Sequence, residues 1–578
     1  MGFMDTFSAF IGSINDFLYQ DTFLFVLLGT GILFTVWSGF AQYRALTHGT
    51  AVLRGFYDDK ADPGAINHFQ ALSAALSATV GLGNIGGVAL AVALGGPGAV
   101  FWMWMVGILG MSIKITEVTL SMIYRNTDDP NNPHGGPMWV VSKGLAAMNP
   151  KYAGVGKLVG WFFCITLLIY TITGGAMFQA WNVGDITQEY FHVPSWIVGI
   201  VLAVIVWMVI IGGIKRIGHV AGSLVPLMVV LYLLGGLAVL ISNYEVIPDM
   251  LRLIVVSAFS PQEASGAFIG GTVGYAIMIG MKRALFSSEA GAGSSPIAHS
   301  AAKTDEPVRE GVVAGLEPFI DTIVVCTFTA LVILSSGIWE RSGEGMYDTA
   351  PMVVPVEGPG YWSLETTEPP ARAEGEWREG ENVFVIIEGD TNKDTNNRLH
   401  RLDGEVVVDG DRMVVEFGTI AMTEKPTVND LGLYATYPGA TLTAKAFDSA
   451  FPGLGKWLVT LAAWLFAIST MISWSYYGEQ GIVYMFGEGA VKPYKYMFCV
   501  LVFVATLGFI TTPTDLDNFS SLGVGVMLWV NVPIMLFFGH QAMKAYKEYI
   551  GRLKRGEMPQ NPDKPSFFKD VLTGRDVD

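Results

Sequence analysis

Three clusters of small and polar residues interrupt stretches that are otherwise apolar. In the first, ALSATVGLGNIGGVALAVALGGPG, the residues Thr79, Gly81, Gly83, Asn84, Gly86 and Gly87 sit in the middle of a run long enough to cross a bilayer. Glycine weakens a helix by about 1 kcal/mol per site relative to alanine, so this is where a spanning helix comes apart. Unpaired backbone groups at membrane depth are tolerated only inside protein or beside a polar cavity. Freed N–H groups at a half-helix N-terminus suit a carboxylate, and freed carbonyls suit a cation or an ammonium group. The competing role for such glycines is a close-packing seam between helices, but a seam has no need of Asn84. The string also spells GxGxxG from Gly81 to Gly86. No strand precedes it and no strand–helix–strand unit encloses it, so it is not read as a dinucleotide fingerprint.

The second cluster runs from Gly270 to Gly274, with Tyr275 and Met278 beyond it. It repeats the Thr-Val-Gly of residues 79–81 as Thr272-Val273-Gly274 near the start of a later span. Gly-interrupted spans at matching points of two halves point to a transporter site. Two such breaks facing each other would enclose a glycine-walled cavity, capped by Met278, that suits a zwitterion with almost no side chain. The third cluster is LFAISTMISWSYYGE, where Phe466, Thr470, Ser473 and Trp474 share a helix face and Ser469 adjoins Thr470. Hydroxyls in a span either bond back to the preceding turn or act as hard oxygen ligands. In the second role, Ser469 and Thr470 would hold Na+ with carbonyls of Ala78 and Gly81, and Trp474 would limit substrate size. Gln179 is placed to hydrogen-bond a substrate or to mark the membrane interface. Embedded acids are functional candidates. Among Glu117, Glu317 and Asp321, the last is the candidate for proton coupling, while Lys114 stands three residues from Glu117 for an ion pair. Glu289, near Lys282 and Arg283, is a candidate for an inner gate.

A membrane scaffold must position these clusters, and the composition supplies one. Of 578 residues, 51% are hydrophobic and 15% charged, against about 25% charged in soluble chains; mean hydropathy is +0.44. The net charge of −16 argues against a nucleic-acid partner. Cys164, Cys326 and Cys499 are too far apart in sequence to suggest a disulfide or zinc motif. Residues 1–22 carry no Lys or Arg, so the first apolar segment reads as a retained helix rather than a signal peptide. Apolar runs of about 20 residues fall at 22–40, 67–94, 98–124, 157–180, 195–211, 219–241, 266–281, 314–337, 454–475, 494–510 and 519–543, which makes eleven spans. The short segments on one side hold 23 basic residues, and those on the other hold only Arg252. This predicts an outside N-terminus and a cytoplasmic C-terminus. Without its first helix the chain divides into five plus five spans of opposite topology.

The expected fold is therefore an all-α polytopic membrane protein, with helices 1–8 in residues 1–337, helices 9–11 in 451–545 and a cytoplasmic tail at 546–578. Residues 338–450 differ in kind, with 21 acidic and 9 basic residues. NVFVIIEGD and GEVVVDGDRMVVEFG read as strands and hairpins, making this a small β-rich extracytoplasmic insertion. No HExxH, GxSxG or GxxxxGK[ST] is present, so no enzyme activity is expected.

Five motifs carry a family resemblance: ALSATVGLGNIGGVALAVALGGPGAVFWMW followed by KITEVTLSMIYR, then HGGPMW, FSSEAGAGSSPIAHSAA, EPFIDTIVVCTFTALVILSSG and FAISTMISWSYYGE. With them the chain resembles the alanine/glycine:cation symporter family over nearly all of its length except 338–450. The resemblance implies a leucine-transporter-like fold of five plus five inverted helices preceded by one extra helix. It implies Na+-coupled, in some members H+-coupled, uptake of alanine or glycine across the bacterial inner membrane, with no cofactor. By resemblance, substrate roles fall on Thr79, Gly81, Gly83, Asn84, Gln179, Thr272, Gly274, Met278, Thr470 and Trp474, and the Na+ role on Ala78, Gly81, Ser469 and Thr470. The alternatives are a proton-coupled carrier using Asp321 and a transporter-like receptor that signals through 338–450.

Overall fold

The computed structural model describes residues 11–15, 17–356, 358–437, 440–508, 513–562 and 565–576. Parts of the outer segments expected at 1–21 and 511–518 lie outside these. Along the chain come α1 (Asp21–Ser38), α2 (His68–Thr79), α3 (Val88–Tyr124), α4 (Pro137–Met148), α5 (Ala153–Ile172), α6 (Phe178–Phe191), α7 (Ser195–Ile210), α8 (Gly213–Ser242), α9 (Ile247–Ser257) and α10 (Val273–Ser288). They are followed by α11 (Pro307–Ala314), α12 (Thr327–Ser336), α13 (Ala440–Ala450), α14 (Leu454–Phe486), α15 (Val491–Val504) and α16 (Pro513–Lys554). Among the described residues, six helical stretches are long and apolar enough to cross a membrane, or seven if Thr22–Ser38 and Ala41–Leu53, bent by 69°, form one span. The protein is a mostly helical, multi-pass membrane protein.

The first expected break is present. Helix α2 starts on a capping box, with the Asn67 side chain accepting from Gln70 N and the Gln70 side chain from Asn67 N. It stops at Val80, whose backbone turns extended (φ −74, ψ 95). A widened π-turn, Gly83–Gly87, then leads into α3. Such turns arise where the regular ladder is interrupted and recur at functional sites. Helix α3 is itself folded at Gly96 (φ 69, ψ −175) before Pro97. The positive φ is cheap only for glycine, and the freed Gly95 carbonyl accepts Gln262 Nε2 at 2.9 Å.

The second expected break is displaced. Gly270 to Gly274 do not interrupt a helix; they lead into the first turn of one. Thr272 is the N-cap of α10, its Oγ1 accepting from Tyr275 N at 3.1 Å and donating to Asp394 O at 2.9 Å. A cap hydroxyl satisfies a first-turn N–H, so this threonine starts a helix where the sequence pattern suggested a gap. The chain comes apart 15 residues later. Glu289 (φ 50), Gly291 (φ 90) and Gly293 (φ 80) end α10 and lead into a short helix, Ser295–His299.

The insertion is β-rich from Gly345 to Ala435. Its strands are β1 (Gly345–Met346), β2 (Val353–Pro355), β3 (Tyr361–Leu364), β4 (Asn382–Glu388), β5 (Leu399–Asp409), β6 (Arg412–Phe417), β7 (Ile420–Ala421), β8 (Thr427–Val428) and β9 (Gly432–Ala435). The larger sheet runs β1-β9-β4-β5-β6 with β8 also on β4, and the smaller runs β2-β3-β7. The expected hairpin is β5–β6, closed at Asp409↔Arg412 by Gly410 (φ 64) and Asp411. Strand β4 is apolar on both faces because both are covered. Val383, Val385 and Ile387 face the insertion's own core, while Phe384 and Ile386 pack with Ala267 of the helical body. Arg401 donates to Ala267 O at 2.6 Å and lies over the Phe384 ring. The last stretch of 338–450 is not β: α13 packs into the helical body, where Phe447 meets Tyr232 edge-on and Thr443 Oγ1 donates to Ile85 O at 3.2 Å.

Candidate functional site

A cavity of about 150 Å³ opens at the first break, smaller than the ~300–1,000 Å³ typical of drug-sized ligand sites. Ala78, Thr79, Gly81 and Gly83 form one wall, Thr470 of α14 a second, and Gln179 of α6 a third. A fourth side comes from α10, through Arg283 and Phe286, and from Glu289 just beyond it. Ala440, the first residue of α13, closes the insertion-facing side.

Asn84 does not line the cavity. It is wholly buried and braces the break from behind. Its Oδ1 accepts from Gly81 N at 2.9 Å, and its Nδ2 donates to Asp321 Oδ1 at 2.5 Å. Asp321 lies in a second π-turn, Phe319–Cys326. Its other oxygen accepts from Ser287 Oγ and from Thr322 Oγ1, the latter at 3.0 Å. One buried carboxylate thus joins the end of α10 to the first break, and a full set of donors offsets the cost of burying it.

Two polar atoms have no such satisfaction. Thr470 is 2% exposed and Gln179 8%, yet Thr470 Oγ1 and Gln179 Oε1 have no hydrogen-bond partner among the described residues. Gln179 Nε2 is tied to Gly174 O at 3.1 Å, which leaves its carbonyl oxygen free. A buried acceptor without a donor costs roughly 1–3 kcal/mol, so both oxygens suit a ligand. A Cβ on Gly81 would stand 3.1 Å from Thr470 Oγ1, which puts the break and this hydroxyl side by side.

The other sequence candidates divide. Ser469 is occupied: its hydroxyl donates to Phe466 O at 2.8 Å and lies 3.4 Å from Ser77 O. Ser473 pairs with Ser77, and Phe466 is buried against Tyr232. Trp474 stands behind the wall, edge-on to Tyr170, with ring centroids 4.4 Å apart; Tyr170 lines the cavity. Thr272, Gly274 and Met278 do not line it, because α10 begins at the insertion-facing end and the cavity meets its other end. Among the described residues, no group of His, Cys, Asp and Glu is arranged to hold a metal. Sequence reasoning missed Tyr170, Phe178, Asn182 and the position of Arg283. The spacing of Arg283, Phe286 and Glu289 at three-residue steps was the available signal, since it places them on one helix face. Lys114 does pair with Glu117 at 3.7 Å, but its nearer partner is Glu317 at 2.9 Å, a contact between distant segments.

The sequence pattern of the sodium:alanine symporter family matches residues 4–354 and 417–563, leaving out most of the β-rich insertion. The chain is 34% identical over 497 residues to the sodium/alanine symporter AgcS of Methanococcus maripaludis, covering 86% of this chain and 88% of that one. It is 29% identical over 555 residues to a putative sodium/proton-dependent alanine carrier of Bacillus subtilis, covering 95% and 94%. A solved structure of MhsT with L-phenylalanine aligns over 82% of this chain and 89% of that one, at 13% identity and a TM-score of 0.42.

Proposed function

This chain belongs to the sodium:alanine symporter family, and from that premise we propose that it imports a small neutral amino acid, alanine or glycine, with Na+ by alternating access. It is a transporter and not an enzyme. The observation that carries the reading is the pair of unpartnered buried oxygens, Thr470 Oγ1 and Gln179 Oε1, on the wall of a small cavity at a broken helix.

In this reading Na+ binds Thr470 Oγ1 with the carbonyls of Ala78 and Gly81, a hard-oxygen set. Ser469 is a neighbour of that set rather than a free ligand. The amino-acid carboxylate meets the Arg283 guanidinium and the N–H groups entering the Gly83–Gly87 turn, and the ammonium group meets Gln179 Oε1 and Glu289. Phe178, Phe286 and Leu90 leave room for little beyond a methyl group. Asn84 acts through Asp321 to hold the break open rather than by touching substrate. Na+ would order the break first, so the amino acid finds an organised site; such coupling runs to about 1–3 kcal/mol and is reciprocal. The eleven-span, five-plus-five topology belongs to the same proposal. So does an inner-membrane location, with residues 338–450 outside and the C-terminus in the cytoplasm, which the distribution of basic residues supports.

The test is uptake of radiolabelled alanine into liposomes with and without a Na+ gradient. Alanine accumulates only with Na+, and unlabelled glycine competes. Thr470→Ala lowers the Na+ response about tenfold, the equivalent of about 1.4 kcal/mol, while the amount of folded protein is unchanged, because the hydroxyl has no hydrogen-bond partner among the described residues. A variant that kept its full Na+ response would remove Thr470 from the ion site. Uptake driven equally by a pH gradient alone would favour a proton carrier.

A further inference from the structure

A second polar cluster lies outside the cavity, at the end of α2 away from the first break. His299 ends the short helix Ser295–His299 and is wholly buried. Its Nδ1 meets Glu310 Oε1, and its Nε2 meets Glu317 Oε1 at 2.6 Å. The other oxygen of Glu310 meets Nδ1 of His68, the first residue of α2. His68 Nε2 in turn lies 3.6 Å from Asp58 Oδ1. Glu317 Oε2 faces Lys114 Nζ at 2.9 Å, and Lys114 also faces Glu117, which accepts from Asn531.

These contacts fix the proton count at His299. A neutral imidazole has one N–H and one bare nitrogen. His299 presents both nitrogens to carboxylate oxygens, so the trio with Glu310 and Glu317 must hold one proton more than a neutral ring between two carboxylates. His68 meets Glu310 through Nδ1, while its Nε2 is in ion-pair range of Asp58 without a hydrogen bond, so its extra proton is favoured by the two carboxylates around it. Charge gives the same answer. Glu310, Glu317, Glu117 and Asp58 are opposed by Lys114 and Arg125 alone unless both histidines are charged, and unbalanced charge is expensive to bury. The remaining charges do not alter the balance locally. Arg309 acts on His68 from beside Glu310 but is directed to Asp62, and Arg125, whose charge is counted above, is held in place by the carbonyls of Ser300, Ala302 and Thr304. Glu289 and Asp321 act on the far side, towards Lys114 and Glu317. Asp576 stands beyond Asp58, and His48 stands near His68.

We propose that His68, Glu310, His299 and Glu317 form a proton-binding site that holds the end of α2 shut, and that opening this end releases a proton. The proposal rests on the alternating access read above, and takes the first break as the hinge on which α2 moves. When α2 tilts, His68 leaves Glu310 and Asp58 for water, where an imidazole is mostly neutral at neutral pH. His299 stays between its two carboxylates and keeps its proton. The closed state therefore binds one proton more than the open one, and acid favours closure.

The experiment places a cysteine on α2 by Ser73→Cys and measures its labelling by a thiol reagent supplied from the side away from the insertion. Rates are taken relative to an exposed Lys547→Cys control, which cancels thiol ionisation. Relative labelling should rise about fivefold or more from roughly pH 6 to pH 8, and His68→Gln should abolish the rise. Glu310→Gln, which no longer bears the charge that holds both rings, should do the same and serves if His68→Gln does not reach the membrane. Labelling independent of pH in the Ser73→Cys chain, or a rise that survives both substitutions, would show a fixed brace and overturn the proposal. The assay uses no substrate, so a chain that failed to accumulate alanine would overturn the transport reading and leave this measurement standing.

Discussion

The two breaks facing the cavity are built by opposite means. The first, at Val80 to Leu82, contains no positive φ; it is held by a side chain, Asn84, whose carbonyl caps Gly81 and whose amide reaches Asp321. The second, at Glu289 to Gly293, is held by backbone shape, with three of its five residues in the left-handed region. The lesson is that glycine content alone does not locate a break. At the first, glycine keeps a wall thin so that a ligand can approach; at the second, it permits a turn that other residues resist.

The largest expected effect breaks the second member of the comparison. A Cβ on Gly293 would lie 2.4 Å from Pro137 Cγ on top of a φ of 80. Backbone strain of this kind costs roughly 1–3 kcal/mol before any clash. Gly293→Ala should lower both the thermal midpoint in detergent and the yield of folded protein; an unchanged midpoint would contradict the geometry.

Next is the brace of the first break. Asn84→Ala removes a donor from Asp321 and the acceptor for Gly81 N, and hydrogen bonds to charged groups are worth about 1.5–3 kcal/mol. The expected result is a lower thermal midpoint together with loss of uptake, with Asn84→Asp no better, since it sets two carboxylates face to face. Normal transport by Asn84→Ala would mean that the break holds itself open.

A smaller effect concerns the far end of α2, which the C-terminal tail grips. Asn67 Nδ2 donates to Val571 O and to Asp576 Oδ1, both at 2.7 Å, and Phe567 meets Phe69 edge-on. Burial, and then the neighbouring Asp58 carboxyl, push the Asp576 carboxyl up from 3.8 to about 7. A raised acid stabilises the docked tail below its undocked value and loses that contribution as pH rises through about 7. Protease should therefore clip the tail faster at alkaline pH than at mildly acidic pH, and Asp576→Asn should erase the difference.

The smallest effect sharpens the contrast. Gly83 has no positive φ, and its added Cβ would meet nothing within 4 Å. Gly83→Ala should fold like the parent, within about 0.5 kcal/mol. Any change should appear in the apparent affinity for alanine, because the methyl group enters the cavity.

Much of this was visible in the chain itself. Apolar runs and the uneven distribution of basic residues declared a membrane protein, and Gly-rich residues 79–87 declared the first break, because local backbone preference acts there without help. The hydroxyls of helix α14 were recognisable as a pair, but their unequal roles were not. Ser469 bonds back to Phe466 whereas the Thr470 hydroxyl has no partner among the described residues, and only rotamer and neighbours separate them. Thr272 misled because one residue type serves both as a helix cap and as a site residue, and the choice depended on Asp394, 122 residues away.

What the sequence determined alone was therefore local: which stretches are apolar, where a helix is weak, and which acids and hydroxyls are carried into the membrane. Tertiary structure decided the rest. Asn84 meets Asp321, Lys114 prefers Glu317 to its own neighbour Glu117, and two histidines converge on Glu310. These pairings join segments up to 242 residues apart. No pattern along the chain encodes them, because in a low-dielectric interior a buried charge is stabilised by whichever opposite group the packing brings within reach.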